Sequence, residues 1–406
     1  MRIAQHTRAP DRPLRLLQVT TTPVGAEWFY DQVTGLARLG HTVCAVLPVR
    51  GLLVDRLRAA GIRVEIIPFQ GRRPQHIARI AVAELRLLHL MRSFRPDVIH
   101  AHLLKAALSC RLASLGYRPA LRVNQLPGTI HLHSPLLRRL DQLTLFRDDK
   151  VIGSCRAIAD QYRRMGARSV AVSYYGCDVH RFDPGTPGTA FRSEFGLADD
   201  TPTVGIVGRL YPSRLREFRQ VGVKGHEILL NAAPLILQEM PQVHFFVIGD
   251  DHAETGHYRR ELEARAAALG VAENTHFTGW RSDIVNVLAG LDVAVSASLE
   301  ESACYAIVEA LLMRRGVVAT NIGGLPDTVR HGETGMLVPP GDQRALASAV
   351  LALLADPELR QQMGSRGREH CLRRFDIAAT VAEVEAIYRT GLHELTRGRA
   401  TRMRRS

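Results

Sequence analysis

Apolar and polar positions along the chain fall into two kinds of segment. Short β-branched runs read as strands, and longer stretches with apolar residues every three or four positions read as helices. In the first half the runs cover 14–20, 41–48, 63–69, 97–102, 121–126, 150–155 and 169–175. Helical patterns at 27–38, 73–94, 103–116 and 156–165 separate most of them. The stretch 181–202 is rich in Gly, Pro and acidic turn residues and reads as an interdomain linker with its surroundings. Beyond it the alternation restarts, with runs at 203–209, 243–250, 275–280, 293–298, 316–322 and 335–340. Helical patterns near 342–355, 357–372 and 376–396 close the chain. Strands alternating with helices predict parallel sheets, so two such series predict two doubly wound α/β domains. Their boundaries fall at 1–185 and 186–375, followed by a helix at 376–396 that crosses back to the first domain and a basic tail at 397–406. Ligands of such sheets sit beyond the carboxyl ends of the strands, which makes a cleft between the domains the expected site.

Length and composition agree with this reading. The 406 residues suit two cores, and 46 % apolar with 23 % charged residues is a globular composition. No apolar run reaches the roughly 18–20 residues of a membrane span, and the N-terminus has no apolar core of a secretory signal, so a cytoplasmic protein is expected. The six cysteines are scattered without a CxxC pair and read as buried thiols. Charge changes the picture more. A formal net charge of +13 favours an anionic partner. Basic residues concentrate at 72–95 and in the C-terminal tail, which is read as disordered. The first reads as a solvated helix face or a membrane-surface contact, the second as a weak attraction to anionic lipid. No aromatic-interleaved basic platform is present, which argues against nucleic acid.

Candidate chemistry concentrates between Ser298 and Asp342. Glu301 and Glu309 are separated by seven residues. A helix starting near Cys304 or Tyr305 leaves Glu301 in the preceding loop and puts Glu309 about one turn inside. Backbone N–H groups at such a start favour phosphate, and carboxylates accept hydrogen bonds from sugar hydroxyls. Upstream, VGRL at 207–210 supplies Gly208 and Arg209, and KG at 224–225 supplies Lys224. Guanidinium and ammonium groups both suit phosphate oxygens. By spacing alone, these residues are equally compatible with an ordinary helix start and a solvated surface.

Their context is more specific. Ser298, Glu301, Ser302, Glu309, Ala310, VVAT at 317–320, Gly323, Gly324 and GETGMLV at 332–338 resemble the donor-binding core of glycosyltransferase family 4. HFTGWRSDIVNVLAGLDVAVSAS at 276–298 resembles a second stretch of that family, and SYYGCDVHRFDP at 173–184 its linker motif. The resemblance runs from about 14 to 390 and is tightest over 203–342. It implies the GT-B arrangement, two Rossmann-like domains facing a cleft, with the acceptor on the first and a nucleotide-sugar donor on the second. It also implies that Arg209 and Lys224 neutralise the departing diphosphate in place of a metal, so no metal or other cofactor is expected. Glu309 would hold the donor ribose, and Glu301 the hexose. Ser302, Ala303, Cys304, Tyr305 and Gly208 would line the phosphates, and the nucleobase would lie near Trp280, whose ring suits core packing as well as stacking.

The first half matches less regularly. TTPVGAEWFYDQVTGLARLGHTV resembles the family's glycine loop but keeps Gly25 alone of the usual pair. His102 fits the family's second histidine in DVIHAH, or else a packed core histidine. The usual active-site histidine has no clean counterpart: Asn124 and Gln125 stand near its place, and His131 and His133 follow Pro127–Gly128 as candidates to replace it.

What the resemblance implies is a retaining transferase acting by front-face substitution, the leaving phosphate oxygen taking the acceptor's proton. The basic surface points to a lipid-linked or envelope glycan acceptor, as in synthesis of lipopolysaccharide, exopolysaccharide or glycolipid, and to peripheral membrane attachment. Competing readings are a non-catalytic scaffold, since Ala303–Cys304 replace the family's Phe-Gly, an isomerase of the UDP-N-acetylglucosamine 2-epimerase type, and a nucleic-acid-binding protein.

Overall fold

Each β-branched run forms a strand, most of them trimmed at the carboxyl end, where the chain turns away into a loop. The computed structural model describes residues 12–22, 26–69, 77–212, 221–251, 256–302 and 304–403, with backbone only from 398 on. Gly25, Ala303 and most of the loop following Tyr211 lie outside the described residues.

The chain divides into two compact units, Met1–Cys177 with Ile377–Ser406, and Asp178–Asp376. The first runs β1 (Arg15–Thr20), α1 (Glu27–Arg38), β2 (Thr42–Leu47), α2 (Leu52–Ala59), β3 (Arg63–Ile66), α3 (Ile77–Phe94), β4 (Val98–His102), α4 (Leu104–Ala113), β5 (Leu121–Leu126), α5 (Pro135–Thr144), β6 (Lys150–Gly153), α6 (Arg156–Arg164) and β7 (Val170–Val172). Its sheet has the order β3-β2-β1-β4-β5-β6-β7, with every pair parallel. The second unit runs α7 (Thr189–Glu194), β8 (Thr203–Val207), α8 (His226–Glu239), β9 (His244–Ile248), α9 (His257–Ala268), β10 (Thr275–Gly279), α10 (Ile284–Ala289), β11 (Val293–Ser296), α11 (Tyr305–Leu312), β12 (Gly316–Thr320), α12 (Leu325–Thr328), β13 (Met336–Val338), α13 (Gln343–Ala355) and α14 (Pro357–Arg374). Its parallel sheet has the order β10-β9-β8-β11-β12-β13. Both are doubly wound, Rossmann-like sheets. Central strands such as β4, β5 and β12 are buried at every position, as expected where helices cover both faces.

Two segments differ from the sequence reading. The stretch 181–202 is not a free linker. Phe182 and Phe191 are buried in the second unit, and Arg192 pairs with Asp292 at 2.9 Å. Apolar rings and a buried guanidinium hold it down, and the chain changes unit at 177/178 instead. The basic tail is helical as far as Met403, because α15 (Ile377–Met403) continues into it. This helix packs on the first unit through Val381, Val384 and Tyr388, which join Phe29 and Val33 in one core.

A buried polar network fixes α15 there. The Tyr388 hydroxyl lies 2.5 Å from His100 Nδ1 and accepts from Gln18 Nε2 at 3.0 Å. α3, which covers most of the 72–95 basic region noted above, buries Ala83, Leu87, Leu90, Met91 and Phe94 and leaves Val82 and Leu85 exposed.

Candidate functional site

In the second unit the strand order reverses between β8 and β11, so loops after these two strands part and leave a crevice at their carboxyl ends. Lys224 approaches from the β8 side and Glu301 from the β11 side. They meet, with Lys224 Nζ 2.5 Å from Glu301 Oε2 and side chains 25 % and 7 % exposed. Burial opposes the lysine's charge, but the Glu301 carboxylate outweighs it and holds the Lys224 pKa above its ordinary value. Ser298 Oγ at 3.3 Å and the Ser302 N–H at 3.3 Å also donate to the Glu301 carboxylate.

Backbone geometry sets this meeting. Gly225 caps α8 with φ +69, and a Cβ there would collide with the Ala297 carbonyl. Lys224 therefore starts its side chain close against β11. Its stem passes Gly208, where a Cβ would make ordinary contact with Lys224 Cγ at 3.6 Å. Gly323, at φ +58, closes on the Glu301 carbonyl, to which the Gly324 N–H donates at 3.2 Å. Thr320 Oγ1 donates to the Ser298 carbonyl at 2.7 Å, tying the loop to β12. Gly323→Ala should therefore combine left-handed backbone strain with a clash against Glu301, costing about 2–4 kcal/mol. The expected readout is a fall of about 5 °C or more in Tm; an unchanged Tm would show that the loop is not locked in this way.

The helix α11 begins beside this pair. Its N-cap residue, Cys304, makes no side-chain cap and its first turn carries no acidic residue, so the helix itself sets no carboxylate against the positive end of its dipole. Cys304, the N-cap residue, is buried, and burial followed by the Glu301 charge pushes its thiol up to about 12. It is an inert neutral thiol, 3.7 Å from Ser296 Oγ. One turn in, Glu309 is partly accessible and its carboxylate accepts no hydrogen bond from the described residues. Burial raises its pKa to about 7, with Arg181 only partly offsetting this. Arg209 stands two residues past β8 and is half-buried. Tyr305 opens α11, half-buried. Trp280, just past β10, is 72 % exposed, which removes a core-packing role.

The sequence reading missed His226, the first residue of α8. It is fully buried beside Lys224 with both ring nitrogens unpartnered, and burial followed by the Lys224 charge lowers its pKa to about 3. A neutral ring there adds no charge to the crevice. Arg181 was also missed, since nothing in the sequence couples it to Glu309.

In the first unit, His102 is a core residue. It is fully buried, with Nε2 donating to Gln18 Oε1 at 3.0 Å and Nδ1 accepting from Tyr175 at 3.0 Å, so it has no surface to offer an acceptor. Asn124 and Gln125 lie within β5, also buried. His131 and His133 fall on a short turn, Ile130–His133, just past β5. His133 is exposed. His131 Nε2 lies 3.2 Å from Asp141 Oδ2 and 3.0 Å from the Tyr162 hydroxyl. Asp141 also accepts from the Tyr162 hydroxyl and from Arg111 at 2.8 Å, and Arg111 binds Asp148 at 2.5 Å. Burial would raise the Asp141 pKa, but His131, Arg111 and Tyr162 together hold it down.

Residues 201–356 match the family described as glycosyl transferases group 1, and residues 25–177 match the glycosyl transferase 4-like domain. A D-inositol 3-phosphate glycosyltransferase of Corynebacterium diphtheriae is 30 % identical over 372 residues, 85 % of this chain and 83 % of the relative. The chain belongs to glycosyltransferase family 4. Within the family, the lipopolysaccharide core biosynthesis glycosyltransferase LpsE of Rhizobium meliloti is 28 % identical over 356 residues, covering 86 % of this chain and 92 % of that one. The match to the D-inositol 3-phosphate glycosyltransferase of Corynebacterium glutamicum, 32 % identical, covers 54 % of this chain and spans only 51 % of that relative. Among solved structures, Anabaena HepE in complex with UDP and glucose superimposes with a TM-score of 0.77 at 25 % identity, over 92 % of this chain and 99 % of that one. These likenesses agree with a GT-B glycosyltransferase whose two sheets are those described above.

Proposed function

We propose that this family 4 glycosyltransferase retains anomeric configuration while moving a sugar from a nucleoside-diphosphate sugar to a lipid-linked or envelope glycan. The observation that carries the donor side is the Lys224–Glu301 pair in the strand-order crevice, beside the start of α11, whose first turn carries no acidic residue. Phosphate oxygens would take Lys224, Arg209 and the N–H groups of the 302–305 turn, stabilising charge as it develops on the leaving diphosphate. Lys224 would then exchange Glu301 for phosphate, releasing the Glu301 carboxylate to hexose hydroxyls and to positive charge at the anomeric carbon. Glu309, with no protein donor of its own among the described residues, would accept from the ribose hydroxyls. Trp280 offers an exposed ring on which a nucleobase can stack. The leaving phosphate oxygen would take the acceptor's proton, so the reading needs neither a metal nor a separate base. His131, oriented by Asp141, and His133 would contact the acceptor.

The UDP and glucose bound to HepE, and the lipopolysaccharide core role in the name of LpsE, support a nucleotide sugar and a surface glycan. The test is a thermal-shift panel of nucleoside diphosphates and their sugars in metal-free buffer. A ligand at a hundredfold excess over Kd stabilises by about 2.7 kcal/mol, which such a melt resolves. A shift with one nucleotide family, followed by product with the same anomeric configuration as the donor, supports the proposal. No shift with any nucleotide, or inversion of configuration, would sink it.

A further inference from the structure

α5 carries its polarity inside out. Asp141 is its one buried residue, held by Arg111, Tyr162 and His131. Its leucines face water instead. Leu136 is 75 % and Leu143 is 63 % exposed, with Leu140 between them also exposed. Positions 136, 140 and 143 follow the i, i+4, i+7 spacing and form one line along the helix, away from Asp141. Ile130 before the helix and Phe146 after it are each more than half exposed as well. α4, joined to α5 through the Arg111–Asp141 bond, adds exposed Leu112, and Leu115 just past its end is exposed as well.

Folding alone gives no reason for this arrangement, because an apolar line in water forgoes the burial that normally positions a surface helix. The surrounding charge identifies an occupant. Arg138 and Arg139 are exposed on α5 itself, and Arg147 follows it. Between 77 and 149 the chain carries eleven Lys or Arg and five Asp or Glu, and Asp148 and Asp149 are spent on Arg111 and Arg122. Of the other three acids, Asp141 is spent on Arg111 and Asp97 on Arg12 at 2.6 Å, while Glu84 accepts from Ser109 at 2.6 Å. A second protein surface would need matching acidic groups around an apolar centre. An anionic bilayer supplies both at once, headgroup phosphates for the arginines and acyl chains for the leucines.

We propose that α5, with Ile130 and Phe146, docks this protein on an anionic lipid bilayer, its leucine line entering the acyl boundary and Arg138 and Arg139 lying among the headgroups. In the basic region marked by the sequence, α3 also exposes Val82 and Leu85 but buries Ala83, Leu87, Leu90, Met91 and Phe94, whereas α5 buries no apolar residue. It deepens the membrane-associated acceptor reading and rests on that reading only for why docking is useful. Since His131 and His133 lie immediately before α5, docking brings the β5 strand end close to the lipid surface.

The test is sedimentation of the full chain with phosphatidylcholine vesicles, with and without about 30 % phosphatidylglycerol, in the absence of donor and acceptor. Wild type is expected to partition at least about tenfold better into the anionic vesicles. The triple variant Leu136→Gln, Leu140→Gln, Leu143→Gln should lose that binding while keeping its Tm, because exposed positions contribute little to folding. Arg138→Glu with Arg139→Glu should weaken binding and flatten its salt dependence. Absence of wild-type binding, or binding undiminished in the triple variant, overturns the proposal. So does a dimer by light scattering that the triple variant dissolves in the absence of any vesicle binding, since the face would then cover a second copy. A nucleotide melt on the same samples keeps the two readings separate. An intact shift without vesicle binding fails docking alone, and vesicle binding without any shift fails the donor site alone.

Discussion

Lys224→Met is expected to lower turnover by about 100- to 1000-fold, the scale on which removal of one preorganised group at a developing charge is felt. Three facts make this the largest functional effect. Lys224 is three-quarters enclosed, it stands at the strand-order crevice, and Glu301 keeps it charged. A charge held in a partly dewetted crevice acts on a departing diphosphate more strongly than the same charge in water. The substitution also strands Glu301, whose side chain is 7 % exposed, with only Ser298 and the Ser302 N–H among the described residues to satisfy it. A stability loss of about 1–3 kcal/mol should accompany the loss of activity. Restoring neutrality with Glu301→Gln in the same chain should recover much of the stability and none of the turnover. A double-mutant cycle in urea, run beside steady-state rates, checks both. A well-folded Lys224→Met enzyme with more than a tenth of wild-type kcat would remove Lys224 from the chemistry.

Glu309→Gln should weaken donor binding while making the empty protein more stable at pH 8. The folded-state pKa of about 7 lies above the ordinary carboxylate value because burial penalises the charge. Between the unfolded pKa of 4.5 and about 7, the folded chain holds a proton that the unfolded chain has released. Stability from this group is thus full below the unfolded pKa and is lost as pH rises toward 7. Above that, an ionised Glu309 lowers the stability of the empty protein by up to about 3 kcal/mol. Glutamine cannot ionise, so wild type and variant should match near pH 4 and diverge by pH 8, the variant being the more stable. Donor binding runs the other way. An acceptor for two ribose hydroxyls must be ionised, so wild-type affinity should fall as pH drops below about 7, and the variant should bind about 10- to 100-fold more weakly at pH 8. Urea melts at the two pH values with nucleotide calorimetry decide it. Equal stability at pH 8, or unchanged affinity, would mean that the strained carboxylate is not kept for a ligand.

The residues proposed for the donor could be singled out in the chain because they sit in fixed local frames. Lys224 precedes a glycine whose φ of +69 only glycine adopts readily, and Glu301 and Glu309 bracket one helix start. The first unit yielded less, because its candidate histidines belong to no such frame. His102 is as plausible at a strand end as in a core, and only Gln18 and Tyr175, distant in sequence, decide for the core. The helix α5 had a readable start in Ser134–Pro135, yet its leucine spacing would predict an ordinary buried face.

Sequence by itself determined the alternation of strands and helices, the two sheets and the residues grouped around α11, since side-chain period and turn chemistry act over a few residues. Tertiary structure alone decided which of those side chains are paired, buried or left to water. It brought α15 back onto the first sheet, joined Lys224 to Glu301, desolvated Glu309, and turned Asp141 rather than a leucine inward on α5. Those outcomes depend on desolvation and on partners tens to hundreds of residues away, which no local pattern encodes.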